Sequence, residues 1–148
     1  MRKAIITLIV LIIAVGSYLI FMKTNTITFS DALSNAMEEN NEIQGEEVIR
    51  SIDITRRHTA NDGDSQGHEY IKIEEEETIN EIMEHTNDMR LNRNNENPEV
   101  CYFMSINTNH SSYDLIIGLD DYIWINDRSY QVEGENKLLE IVSSFDYE

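Results

Sequence analysis

The sequence predicts an α+β protein: an N-terminal transmembrane helix, then a small antiparallel β-meander domain packed with about three short helices. Three observations carry this expectation. Residues Ala4–Met22 run without a charge. Four short apolar runs lie between residues 100 and 132, separated only by short polar turns. Segments at about 31–39, 78–88 and 135–145 carry apolar residues at helical spacing.

The apolar run comes first. As a helix it would be about 28 Å long, close to a hydrocarbon core of roughly 30 Å. It has no polar stripe with which to face water. A cleaved signal peptide has a shorter apolar stretch and an A-x-A-like site; the nearest approach, "AVGS" at 14–17, falls inside the run. No cysteine stands near its end to carry a lipid. The run therefore reads as an uncleaved signal anchor over residues 1–23. Arg2 and Lys3 precede it and only Lys23 follows closely. The positive-inside rule then sets the N-terminus in the cytoplasm and the remainder outside the cell membrane, as a single-pass protein. A polar spacer over 24–29 and an acidic extracytoplasmic domain over 30–148 complete the expected organisation.

Charge narrows the partners. All 28 acidic residues lie after Lys23, together with 8 of the 11 basic ones. Nucleic acid is excluded, because its binding depends on Lys and Arg neutralising phosphates. Anionic headgroups are disfavoured for the same reason, whereas a cation or a basic partner would be attracted. The same charge also serves simply to keep an exposed domain soluble.

Within the domain, Ser30 stands where a helix cap belongs, ahead of Ala32, Leu33, Ala36 and Met37 at helical spacing. "EVIRSIDITRR", 47–57, alternates as a strand with Val48, Ile52 and Ile54 on one side. "HEYIKIE", 68–74, does the same with Ile71 and Ile73. The turn-rich segment between them reads as a hairpin loop. Thr78 offers a cap for a second helix, with Ile79, Ile82, Met83 and Thr86 on one face. "LNRNNENPE", 91–99, holds the single proline and reads as an exposed loop. Then come "VCYFMSI", "YDLIIGL", "YIWIN" and "SYQV". Turns as short as those between the last three can join only antiparallel neighbours. Tyr113, Leu115, Ile117 and Leu119 are expected on one face, and Tyr122 and Trp124 together on one face of the next strand. A final helix carries Leu138, Ile141, Val142 and Phe145.

Chemistry-bearing patterns are sparse. Asp62, Asp64, Gln66 and Gly67 match the opening of a calcium loop, but Ile73 stands where the bidentate glutamate belongs. A Gly/Asp/Ser-rich hairpin loop explains the same residues. His58 and His68 flank that loop, and His85 and His110 stand apart, without metal-ligand spacing. His110, Ser111, Ser112 and Asp114 are neighbours in a turn, a poor arrangement for a catalytic triad. Cys101, the single cysteine, lies in an apolar run and reads as a small buried residue. Tyr102, Tyr113, Tyr122, Trp124 and Tyr130 read as core and cross-strand filler, with an exposed binding platform as the competing reading. No catalytic, cofactor-binding or metal-ligating residue is assigned, and no cofactor is expected.

The plan of a basic start, one anchor, a spacer and a small acidic domain resembles the membrane-anchored or lipoprotein-type extracytoplasmic proteins of Gram-positive bacteria. "YIKIEEEETINEIM" and "YDLIIGLDDYIWINDRSYQV" carry the resemblance, which implies location more than activity. The expected role is a non-enzymatic module that binds another envelope protein. The alternative is a ligand- or cation-binding sensor using the 58–69 loop.

Overall fold

A computed structural model describes residues 26–39, 47–57, 68–96, 99–119 and 121–147. The signal anchor and the 58–67 loop, with His58, Asp62, Asp64, Gln66 and Gly67, lie outside the described residues. Among the described residues no helix is long and apolar enough to cross a membrane.

In chain order the elements are β1 (Thr26–Thr28), α1 (Phe29–Glu39), β2 (Ile49–Arg57), β3 (His68–Ile73), α2 (Glu76–Thr86), β4 (Arg90–Asn94), β5 (Val100–Thr108), β6 (Ser112–Gly118), β7 (Tyr122–Ile125), β8 (Arg128–Glu133) and α3 (Lys137–Ser144). The strands form one sheet in the order β1-β4-β8-β7-β6-β5-β2-β3. Every neighbouring pair is antiparallel. The expected α+β class with an antiparallel meander is observed, and the meander β5–β8 forms the middle of the sheet.

Alternation decides which side is core. Ile52, Ile54, Met104, Ile106, Tyr113, Leu115, Ile117, Ile123 and Ile125 are buried on one face. The helices add Phe29, Ala32, Leu33 and Ala36 from α1, Ile79 and Ile82 from α2, and Leu138 and Val142 from α3 to the same core. Each helix has one apolar stripe, so all three can be used up against a single sheet face.

Several local readings are corrected by pairing. Thr26–Thr28, expected within the 24–29 spacer, pairs with β4, and Phe29 is buried at the start of α1. The cap of α1 is Thr28, whose Oγ1 accepts from Asp31 N at 3.1 Å. Ser30 lies inside the helix, where its own N–H donates to Asn87 O, just as Phe29 N donates to Met89 O. The free amides of this first turn are thus satisfied by a neighbouring turn. Thr78 likewise lies within α2, which starts after Glu75 without a side-chain cap. Glu76 and Glu77 occupy its first turn, where the helix dipole favours acids.

The expected loop at 91–99 begins as strand β4. Leu91 is fully buried, and β4 is paired on both sides, to β1 and β8. Ladder bonds on two sides override the poor strand propensity of an Asn-rich segment. Val48 is exposed despite its parity with Ile52 and Ile54. A bulge explains this: Ile49 opposes Thr108 and Ser51 opposes Asn107, leaving Arg50 as the extra residue. One extra residue exchanges the faces on either side of it, so Ile49 turns to the core face and Val48 turns out. A second bulge leaves Cys101 as the extra residue of β5; it is half-buried against the core rather than inside it. Leu119 falls just past the end of β6 and is exposed.

Candidate binding face

The helices cover one face of the sheet; among the described residues no helix or strand packs on the other, the open face. Directly opposed residues of antiparallel strands share a face, so the register lays out rows across the strands. One row on the open face reads Tyr70, Thr55, Phe103, Ile116, Trp124, Ser129. Four of these six side chains are large and apolar. Tyr70 and Phe103 are 45% and 41% exposed, and Ile116 and Trp124 are half-buried. Phe103, Ile116 and Trp124 form a stripe over the adjacent strands β5, β6 and β7, and Tyr70 on β3 continues it across Thr55 of β2.

The neighbouring row is polar: Lys72, Asp53, Ser105, Asp114. It runs beside the stripe at about 7 Å, the rise of two strand residues. Its carboxylates are held in place. Asp53 accepts from Tyr70 Oη at 2.8 Å and from Asn107 Nδ2 at 2.7 Å. Asp114 accepts from Ser105 Oγ at 2.6 Å. The bond to Asp53 raises the Tyr70 phenol above its ordinary pKa. Lys72 is raised in turn by its bond to Glu74.

At the far end of the stripe the connection leaving β4 lies against β7 and β8. Glu96 O accepts from Trp124 Nε1 at 3.4 Å and from Ser129 Oγ at 2.9 Å. The Glu96 carboxylate accepts from Tyr122 Oη at 2.7 Å. This contact covers part of the indole and sets a third carboxylate beside the stripe.

The five aromatics singled out from sequence are thus divided. Tyr102, Tyr113 and Tyr130 are buried in the core, while Tyr122 and Trp124 share the open face. The two most exposed stripe members, Tyr70 and Phe103, were missed by reading aromatics along the meander alone. A signal for Phe103 and Ile116 is present in "CYFMSI" and "LII", where apolar residues fill both parities. Unbroken apolar runs mark strands with both faces apolar.

The other candidates are kept apart. Asp114 is bonded to Ser105, and the His110 ring to Asn109, so neither is drawn into a triad with Ser111 or Ser112. His85 is exposed on α2. Among the described residues no group of three His, Cys, Asp or Glu side chains is placed to hold a metal ion. A cleft of about 540 Å³ between the start of β2 and α2 is lined by Val48, Ile49, Ile79 and Met83, with Glu47, Glu74 and Glu76 at its edge. No family model, curated protein or solved structure matches the chain.

Proposed function

We propose that the protein is a single-pass, membrane-anchored extracytoplasmic module without a reaction of its own, which docks another envelope protein on its open sheet face. The observation that supports this is the stripe Tyr70–Phe103–Ile116–Trp124. Large apolar side chains gathered in one exposed row are uncommon on a monomer and mark interaction surfaces. Aromatic anchors of this kind carry much of the binding energy at protein interfaces. The charge-free run Ala4–Met22 supports the anchor by its length and the basic residues before it.

Photocrosslinking tests the docking face. Benzoylphenylalanine placed at position 103 of the full-length protein, in its native membrane, is expected to yield a discrete adduct. The same group at position 84, exposed on α2, is expected to yield none. Equal labelling from both positions would overturn the assignment of the face. Protease added to intact spheroplasts tests the topology. The expected result is digestion of the domain while the intact chain in untreated cells stays membrane-bound in high salt. A shortened mature chain released into the medium would overturn the anchor.

A further inference from the structure

We infer that the open face selects a cationic protein segment, one in which Lys or Arg side chains stand among apolar residues. The inference rests on the docking reading above and adds the chemistry of the partner.

Two features of the face converge on this chemistry. The first is the exposed rings of Tyr70 and Phe103, with the half-buried ring of Trp124 in the same row. An aromatic face attracts an ammonium or guanidinium group through its quadrupole while its area accepts the aliphatic stem. The second is the flanking row of acids. Asp53 and Asp114 lie one row from the stripe, and Glu96 lies at its Trp124 end. A carboxylate has about four acceptor positions. Among the described residues, bonds fill two at Asp53, from Tyr70 and Asn107, and one at Asp114, from Ser105. Both acids are therefore oriented by neighbours and retain capacity for a charged donor.

The cations on this face offset that row only in part. Lys72 stands beside Asp53 in register and is attracted by it, while its ammonium is bonded to Glu74. Arg90 is paired with Glu133 on the far side of the sheet. Arg57 ends β2, opposite His68, beyond the stripe and away from the acid row. An apolar segment flanked by acids would meet repulsion here, and a plain polycation would leave the stripe uncovered. A segment that mixes both chemistries satisfies both rows, and complementary charge also fixes its register.

Trp124, the single tryptophan, reports directly on the stripe. The full-length protein in detergent is titrated with a random Lys/Phe copolymer, a Glu/Phe copolymer and polylysine, following tryptophan emission. The Lys/Phe copolymer is expected to give a saturable blue shift that weakens with salt, and the other two little or none. The double variant Asp53→Asn with Asp114→Asn keeps the acceptors for Tyr70 and Ser105. It is expected to bind the Lys/Phe copolymer about two- to thirtyfold more weakly, the range for two exposed ion pairs. Its thermal melt shows whether it is folded; if it is not, Asp114→Asn alone replaces it. Equal shifts from the Lys/Phe and Glu/Phe copolymers, a full shift from polylysine, or undiminished binding by the folded variant would each overturn the inference. So would silence of Trp124 toward all three polymers. In each case adducts formed from position 103 would leave the docking reading standing, and their absence would remove it as well.

Discussion

Ile116 and Ile117 are adjacent in sequence and opposite in consequence. Ile117 is fully buried between Tyr102 and Ile123, whereas Ile116 faces Phe103 and Trp124 on the open side. Ile117→Ala is expected to cost about 2–5 kcal/mol, the range for emptying a packed site. That is a large part of a small domain's stability of about 5–15 kcal/mol. Trp124→Ala removes a half-covered ring and one long hydrogen bond, and is expected to cost only about 1–2 kcal/mol. Urea unfolding of both variants checks the difference; equal losses would place the indole in the core. The cap of α1 is open to a similar test. Thr28→Ala removes an acceptor used by Asp31 N and should cost about 1 kcal/mol. Ser30→Ala should be nearly neutral, because it removes no cap; a loss as large as that of Thr28→Ala would return the cap to Ser30.

At the scale of the element, the bulge in β2 converts one residue into a change of face. Arg50 is the residue without an opposite, between Ile49 facing Thr108 and Ser51 facing Asn107. Deleting Arg50 leaves both pairings possible and keeps Ile49, Ile52 and Ile54 on the core side. The deletion is expected to fold with its near-ultraviolet circular dichroism retained. Deleting Asp53 instead would bring the two parts of the strand out of phase and turn buried isoleucines to water. That variant is expected to lose the cooperative melt. Similar behaviour of the two deletions would show that the bulge does not set the register. The same logic explains β4. Its own residues argue for a loop, and its place between β1 and β8 makes it a strand.

Charge and titration act on the whole molecule. The segment after Lys23 combines 28 acidic with 8 basic residues, so self-repulsion opposes the compact state. Moderate salt is expected to raise the melting temperature by screening that repulsion; a fall on adding salt would mean that the surface ion pairs outweigh it. At high pH the sign is opposite to that of an ordinary carboxylate pair. Burial raises the phenols of Tyr102 and Tyr147 above their ordinary value. Their rings lie 5.9 Å apart, and the Tyr147 hydroxyl donates to Val142 O. The folded state holds these protons more tightly than the unfolded chain. Their contribution is thus complete below the unfolded pKa of about 10 and declines as pH rises through the raised folded values. Urea midpoints should fall as pH rises above about 10, and Tyr147→Phe should flatten that fall. An unchanged pH slope in the variant would show that Tyr147 does not contribute.

Much of the fold could be read without coordinates. Short turns between alternating runs forced an antiparallel meander, and helical spacing at Ile79/Ile82 and Leu138/Val142 marked stripes that had to be buried. These are local periodicities, and each residue states its own side of them. The open face could be read only in part. Trp124 and Tyr122 were visible as a pair, but their alignment with Tyr70 and Phe103 depends on strands distant in sequence being brought into one register. The identity of Thr28 as a cap, the strand character of Arg90–Asn94 and the outward turn of Val48 have the same origin. Each depends on hydrogen bonds donated or accepted by another element, and those partners exist only once the chain has folded. Periodicity determined which elements form; tertiary pairing decided which residues stand together on the face left open to a partner.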